Sequence, residues 1–271
     1  MDTQIVAVYC LCDDMLKALH HRNDPQCHLS DAEIMTTAIV AALFFGGNIA
    51  QARDHMHDYG YIATPLSASR FNRRLHRIRD LFLTLFAMLG EHWKGLNAES
   101  VYIIDSFPIA SCDNIRIKRS RRYQGEAYRG YHASRRRYFY GLRIHLVVTA
   151  TGEPVEFFLT PGEDTDTSGL HWYQFDLPAG ATILGDKAFN HYGIEDDLAS
   201  VGLMLAPLRK KNSKRAIPPW ETYLRSLMRK YIETVGSSIT RRFPKTIQAV
   251  TAAGFELKVV LFLLAYSVDC L

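Results

Sequence analysis

The apolar residues of this 271-residue chain change their spacing once, near residue 100, and that change narrows the folds open to it. Before it they recur every third or fourth residue, as on one face of a helix; after it they fall into short β-runs and alternations. Ser30-Asp31-Ala32-Glu33 is a capping-box pattern ahead of the apolar stretch 34–45, and Gly46-Gly47 stops that helix. A further helix is predicted from about Ser69 to Trp93, where Phe71, Leu75, Ile78, Phe82, Leu85, Leu89 and Trp93 share a face. Arg70, Arg73, Arg74 and Arg77 stripe another face of it. Short helices with one arginine stripe point to a helix-turn-helix-like DNA-binding domain over 1–99, although a plain helical bundle has the same pattern.

Beyond residue 100, Val101-Tyr102-Ile103-Ile104 is a continuously apolar β-run expected to end at Asp105. Leu142, Ile144, Leu146 and Val148 alternate with polar residues, Thr151-Gly152 turns, and 155–159 returns, which predicts a hairpin. Thr182-Ile183-Leu184-Gly185 leads into Asp186, a helix follows from about Gly193, and 203–206 is a last short strand. Helices are expected from about Trp220 and over 246–268. This order predicts an α/β fold over 100–271, a mixed sheet flanked by helices, behind the all-helical N-terminal domain.

Composition serves mainly to exclude. Hydrophobic residues at 48% and charged residues at 22% rule out disordered and collagen-like classes. The longest apolar run, 259–266, falls short of the ~20 residues that span a bilayer. The five cysteines are scattered and odd in number, and Asp2 precedes the first basic residue, Lys17, unlike a signal peptide. A soluble cytoplasmic protein without a membrane partner is expected.

The net charge of +4 conceals strong blocks. Residues 116–143 hold 10 Lys/Arg against 1 Asp/Glu, 144–208 hold 1 against 10, and 209–245 hold 11 against 2. A single basic run is usually a solvated face. Two of them, the first interleaved with Tyr123, Tyr128, Tyr131, Tyr138 and Tyr140, point to a polyanion such as nucleic acid. Arg135, Arg136 and Arg137 in the first block, and Lys210 and Lys211 in the second, are candidate DNA contacts, and 108–138 reads as a basic insertion.

Asp105 and Asp186 each follow a short hydrophobic strand. On parallel neighbours ~4.8 Å apart, both carboxylates would leave the same sheet edge. Two hard oxygen ligands so placed suit Mg²⁺ or Mn²⁺, whereas either aspartate alone would more often be a helix or turn cap. Gly185 is expected to leave room for a ligand or a backbone to approach closely. Glu233 is a third candidate, on a helix where Arg225, Arg229 and Glu233 recur every fourth residue and Leu224, Leu227 and Tyr231 are expected to face the core. Lys187, Arg225 and Arg229 are candidate phosphate contacts, against a plain i,i+4 surface pair. Cys10, Cys12, Cys27-His28 and the pair His55 and His57 lack zinc-site spacing. Asp113 is read as a turn residue and Glu195-Asp196-Asp197 as a solvated first-turn cluster.

Several segments together resemble a known family. They are Pro65-Leu66-Ser67 with Ser69-Arg70-Phe71-Asn72-Arg73-Arg74-Leu75, Ile104-Asp105-Ser106-Phe107-Pro108, Tyr138-Phe139-Tyr140-Gly141-Leu142 and Leu159-Thr160-Pro161. Gly185-Asp186-Lys187-Ala188-Phe189, Arg209-Lys210-Lys211-Asn212, Ile232-Glu233-Thr234 and Gly254-Phe255-Glu256-Leu257-Lys258 follow in order. The ordered set resembles bacterial IS982-type insertion-sequence transposases, a branch of the DDE, RNase H-like superfamily. The resemblance implies an RNase H-like sheet and a catalytic, metal-binding triad of Asp105, Asp186 and Glu233 holding two Mg²⁺ or Mn²⁺ ions. It further implies double-stranded DNA partners, the element's terminal inverted repeats and a target, a homodimer in the synaptic complex, and a bacterial cytoplasmic location on the nucleoid when bound. Gly236 stands where such proteins usually keep a bulky aromatic, and Ser226 where related groups favour tyrosine. A catalytically impaired DNA-binding regulator derived from such a transposase is therefore the competing expectation.

If the two basic blocks line one DNA path, log K should fall by about 0.9 per phosphate neutralised as log salt rises. Replacing Arg135, Arg136 and Arg137 with alanine should flatten that slope and weaken all DNA sequences alike. An unchanged slope would leave the first block facing solvent.

Overall fold

Helical spacing early and β-runs later are both realised in a computed structural model of the chain, which describes residues 1–132, 136–209, 212–215, 217–244 and 247–271. In the helix 219–242 the side chains at 226, 228–230, 232, 233, 235, 236, 238, 239 and 242 lie outside that description. Packing divides the chain into two units, Met1–Met88 with Arg242–Leu271, and Leu89–Arg241.

The first unit is helical: α1 (Asp2–Ala18), α2 (Asp31–Phe44), α3 (Ile49–Asp58), α4 (Ala68–Arg77), the start of α5 (Arg79–Leu96) and, after the β-rich elements, α8 (Ala252–Asp269). The expected capping box opens α2: Glu33 N donates to Ser30 Oγ at 3.1 Å and Ser30 N to Glu33 Oε2 at 2.6 Å. Ile34, Met35, Ala38, Ile39 and Val40 are fully buried, so α2 has no solvent face and is the centre about which α1, α3, α4 and α8 pack. The C-terminal helix, expected with the α/β part, thus groups with the N-terminal helices. Its apolar surface, Val259 to Ala265, needs a dry neighbour, and α2 supplies one.

Two expectations change in this unit. The predicted single helix 69–93 is broken at Ile78 into α4 and α5. Arg74, grouped with the DNA-reading stripe, is turned inward: its side chain is 13% exposed, and it donates to the Leu29 carbonyl and pairs with Asp31. His21 Nε2 meets the other Asp31 oxygen at 2.8 Å. Arg70, Arg73 and Arg77 are exposed.

The second unit carries β1 (Val101–Asp113), β2 (Arg129–His132), β3 (Arg137–Thr149), β4 (Pro154–Pro161), β5 (Thr182–Gly185), α6 (Tyr192–Ser200), β6 (Met204–Pro207) and α7 (Pro219–Arg242). The strands form one mixed sheet in the order β2-β3-β1-β5-β6, with β4 also on β3. β1 is antiparallel to β3 and parallel to β5, and β5 is parallel to β6. This is the expected mixed α/β sheet flanked by helices, with a helical N-terminal region before it. One face is sealed by Tyr102, Ile104, Ile183 and Leu205 with Phe189, Ile194 and Leu198.

Strand β1 does not end at Asp105; it continues to Asp113, antiparallel to β3, with a bulge between Ala110 and Cys112. Residues 108–113 and 129–132 of the expected basic insertion are therefore sheet strands. Opposite the bulge only glycine fits, because a Cβ on Gly141 would lie 2.2 Å from the Ile109 carbonyl oxygen. Glu195 is not solvated but 6% exposed, bound by both terminal nitrogens of Arg209 at 2.5 and 2.8 Å and by Arg215 at 3.2 Å. On α7, Leu224 and Leu227 are exposed rather than buried.

Breaking a buried ion pair strands its partner's charge. Arg74→Ala should therefore lower unfolding free energy by about 3 kcal/mol, while Arg73→Ala, on the exposed face, should change it by less than about 0.5 kcal/mol. Thermal melts of both variants decide, and equal melting temperatures would contradict the buried role.

Candidate active site

β1 and β5 pair in parallel through Val101↔Thr182, Tyr102↔Ile183 and Ile103↔Leu184. Asp105 and Asp186 each lie two residues beyond the last of these pairs, at the same edge of the sheet. The cap role weighed for Asp186 is realised, its side chain accepting from Ala188 N at 2.7 Å. That bond fixes the carboxylate's orientation. Gly185 makes room for a side chain rather than a ligand: a Cβ there would meet Phe189 at 3.1 Å.

Asp105 carries the most telling electrostatics. Burial raises its carboxyl to about 6; the Ser106 N–H, at 2.8 Å, offsets part of this, and the charges of Asp186 and Asp166 push it up again. Arg143 acts in the opposite sense. Arg143 Nη1 donates to Asp166 Oδ1 at 2.9 Å and to Ser106 Oγ at 3.0 Å, and Ser106 Oγ donates to Asp166. Behind them His145 is fully buried, stacked on Phe158 with ring centroids 4.4 Å apart and meeting Thr160 Oγ1 at 3.1 Å. Burial drops its pKa to about 4, so it is neutral at physiological pH.

Sequence patterns alone do not single out Arg143, Asp166 or Ser106. Arg143 and His145 fall on the polar side of an alternating strand, whereas β3 is central in the sheet and covered on both faces. A basic residue and a histidine two positions apart on such a strand are the available signal. Asp166 is hidden among the acidic residues of 144–208.

The remaining candidates divide. Lys187 is exposed beside Asp186, and Arg136 is exposed next to Arg137, which pairs with Asp113 at 3.4 Å; Asp113 ends β1 rather than marking a turn. Arg225, a candidate phosphate contact, is committed internally: 14% exposed, it bonds Glu221 and donates to the Pro207 carbonyl at 2.9 Å. That bond ties the start of α7 to the end of β6, the strand beside β5. Glu233 and Arg229 lie farther along α7 with side chains outside the description, and Arg135, Lys210 and Lys211 also fall outside the described residues. Cys12 is buried, its thiol pushed up to about 12 by burial, which is the opposite of a metal-binding thiolate.

The donors at this edge fit a small divalent cation. They are hard carboxylate oxygens, and the crowding of negative charge around Asp105 is what such a cation relieves. Asp166 Oδ1 is taken by the side chains of Arg143 and Ser106, whereas Asp105 and Asp186 each accept one backbone N–H. Among the described residues no group of three or more His, Cys, Asp or Glu side chains is gathered for a metal ion.

No curated protein sequence matches the chain. Among solved structures the chain is similar to a piggyBac transposase in a synaptic complex with hairpin DNA, determined by cryo-EM, at 14% identity and a TM-score of 0.33. That likeness covers 80% of this chain and spans 50% of the other. A family model described as a transposase DDE domain matches residues 95–243, more than half the chain and the whole stretch from before β1 to the end of α7. The chain therefore belongs to the transposase DDE domain family.

Proposed function

We propose that the chain is a DNA transposase of the IS982 type, which cuts double-stranded DNA at the terminal inverted repeats of its element and joins the freed end to a target. The observation that carries this reading is the pair Asp105 and Asp186, brought to one sheet edge by the parallel β1–β5 register in a chain of the transposase DDE domain family. Asp105, Asp186 and Glu233 would hold the metal. Two Mg²⁺ or Mn²⁺ ions there would supply charge to activate the attacking oxygen and stabilise the leaving one.

Two displacements at phosphorus account for the activity. In the first, a water oxygen bonds to phosphorus as the P–O3′ bond breaks, giving a 3′-OH and a 5′-phosphate. In the second, that 3′-OH bonds to a target phosphorus and the target's own 3′ oxygen leaves. Asp105, half-buried and fixed by the Ser106 N–H, offers a carboxylate that does not wander. Lys187 stands exposed beside Asp186, positioned to balance DNA phosphate charge. Arg70, Arg73 and Arg77, exposed on a helix whose other face is packed, are proposed to read base edges, while Arg136 and Arg137 hold the backbone. Arg135, Arg229, Lys210 and Lys211 remain proposed DNA contacts on sequence grounds. Synapsis of two ends asks for two copies of the chain.

The test is a plasmid carrying the DNA that flanks this gene on both sides, incubated with protein and Mg²⁺. Strand cuts at the flank ends that vanish in Asp105→Asn support the reading. Specific binding without cutting would favour the regulator, and cutting without joining would favour a simple nuclease.

Asp105 also makes a prediction in stability. Its carboxyl titrates near 6 when folded against an ordinary 3.8, so between those values the folded chain binds more protons. The contribution of Asp105 to stability is then highest below 3.8, falls as pH rises through the window, and stays about 3 kcal/mol lower above pH 6. His145, held low, opposes this trend equally in wild type and variant, so their difference isolates Asp105. In EDTA, Asp105→Asn should be more stable than wild type at pH 7.5 by up to about 3 kcal/mol, and the gap should close at pH 3.5. Denaturant titration reads this, and a variant less stable at pH 7.5 would contradict the electrostatic account.

A further inference from the structure

Arg143 sits on β3 opposite Pro108, two residues before His145, which faces Ser106. Its side chain is 18% exposed and is anchored through Nη1 alone, to Asp166 and Ser106. Nε is buried without a hydrogen-bond partner, as it is in Arg53, Arg129 and Arg209, whereas Nη2 is not among the buried atoms and meets no acceptor among the described residues. An ion pair serving only to tie β3 to the loop after β4 accounts for the Nη1 contacts. It leaves Nη2, which is not buried, without a protein partner among the described residues.

The surroundings say what would satisfy it. Arg143 is the cation acting on Asp105, against the negative charges of Asp186 and Asp166. A phosphodiester brought to Asp105 and Asp186 adds another negative charge to this crowd. A guanidinium can hold Asp166 through one terminal nitrogen and donate to a phosphate oxygen through the other, a division fixed by its planar fork that an ammonium lacks.

We propose that Arg143 grips the phosphate that is cut, through Nη2, the terminal nitrogen that Asp166 and Ser106 leave unused, and that Asp166 is the positioning residue that aims it. The proposal rests on the reading of this sheet edge as a phosphodiester-cutting centre. Asp166 is then a holder of Arg143, not a member of the metal-binding set. Asp166→Asn keeps the shape but weakens the hold, and Arg143→Lys keeps the charge but loses the fork.

The test is metal-free binding, in EDTA, of a short duplex carrying the flank end, with single methylphosphonates placed in turn along each strand. In wild type, one methylphosphonate at the cut should weaken binding about ten-fold, and Arg143→Gln should weaken binding to the unmodified duplex by a similar factor. Combined, the two losses should be no larger than either alone, because both remove one contact. Arg143→Lys should recover only part of the affinity, and Asp166→Asn should shrink the effect of the same methylphosphonate. Thermal melts confirm that each variant is folded; if Arg143→Gln does not fold, Asp166→Asn and Arg143→Lys carry the test. Losses that multiply at every position would overturn the proposal and leave Arg143 a structural residue. Coupling at one phosphate without cutting by wild type would sustain Arg143 and sink the transposase reading; cutting with no coupling would do the reverse.

Discussion

Two strands that run side by side for three residue pairs set the position of everything chemical in this molecule. β1 and β5 are parallel, so their chain directions agree, and the residues that follow the last pair leave the same edge. Asp105 and Asp186 are those residues. The constraint costs stability, because one carboxylate is desolvated and the other two nearby carboxylates raise its proton affinity further. A fold selected for stability alone would not keep that arrangement, and crowded, desolvated carboxylates of this kind cluster at functional sites.

Around this pair the sheet supplies support from its antiparallel side. β1 runs on past Asp105 against β3, and that pairing brings Ser106 and Arg143 within reach of Asp166. The neutral, stacked His145 fills the layer behind them without adding charge. On the parallel side, Arg225 bonds the last carbonyl of β6 and anchors the beginning of α7. In the helical unit a different device operates: α2, with no exposed face, gathers its neighbours, and Arg74 and Asp31 pair at its first turn.

Much of this arrangement is legible in the amino-acid order, and what is not has physical causes. The capping box at Ser30, the β-runs ahead of Asp105 and Asp186, and the sheet class follow from local patterns that tertiary packing leaves intact. The break at Ile78 is invisible because apolar spacing continues across it and no glycine or proline marks it. The reach of β1 beyond Asp105 is hidden because Ser106 and Pro108 are poor strand formers that cross-strand pairing with β3 overrides. Arg74, Arg225 and Glu195 look like surface charges because sequence gives charge but not direction; each is turned inward to a partner. Gly185 suggests space for a ligand, and that space is filled by Phe189.

The central claim is that Asp105 and Asp186 share one cation site. Iron(II) substituted at such a site, with hydrogen peroxide to be split into hydroxide and hydroxyl radical and ascorbate to return the iron to iron(II), cuts the nearest backbone, which requires neither DNA nor turnover. Protein fragments ending near residues 105 and 186, both suppressed by excess Mg²⁺ and both lost in Asp186→Asn, are the result expected. Cuts near only one of the two, or cuts that persist unchanged in Asp186→Asn, would contradict the shared site.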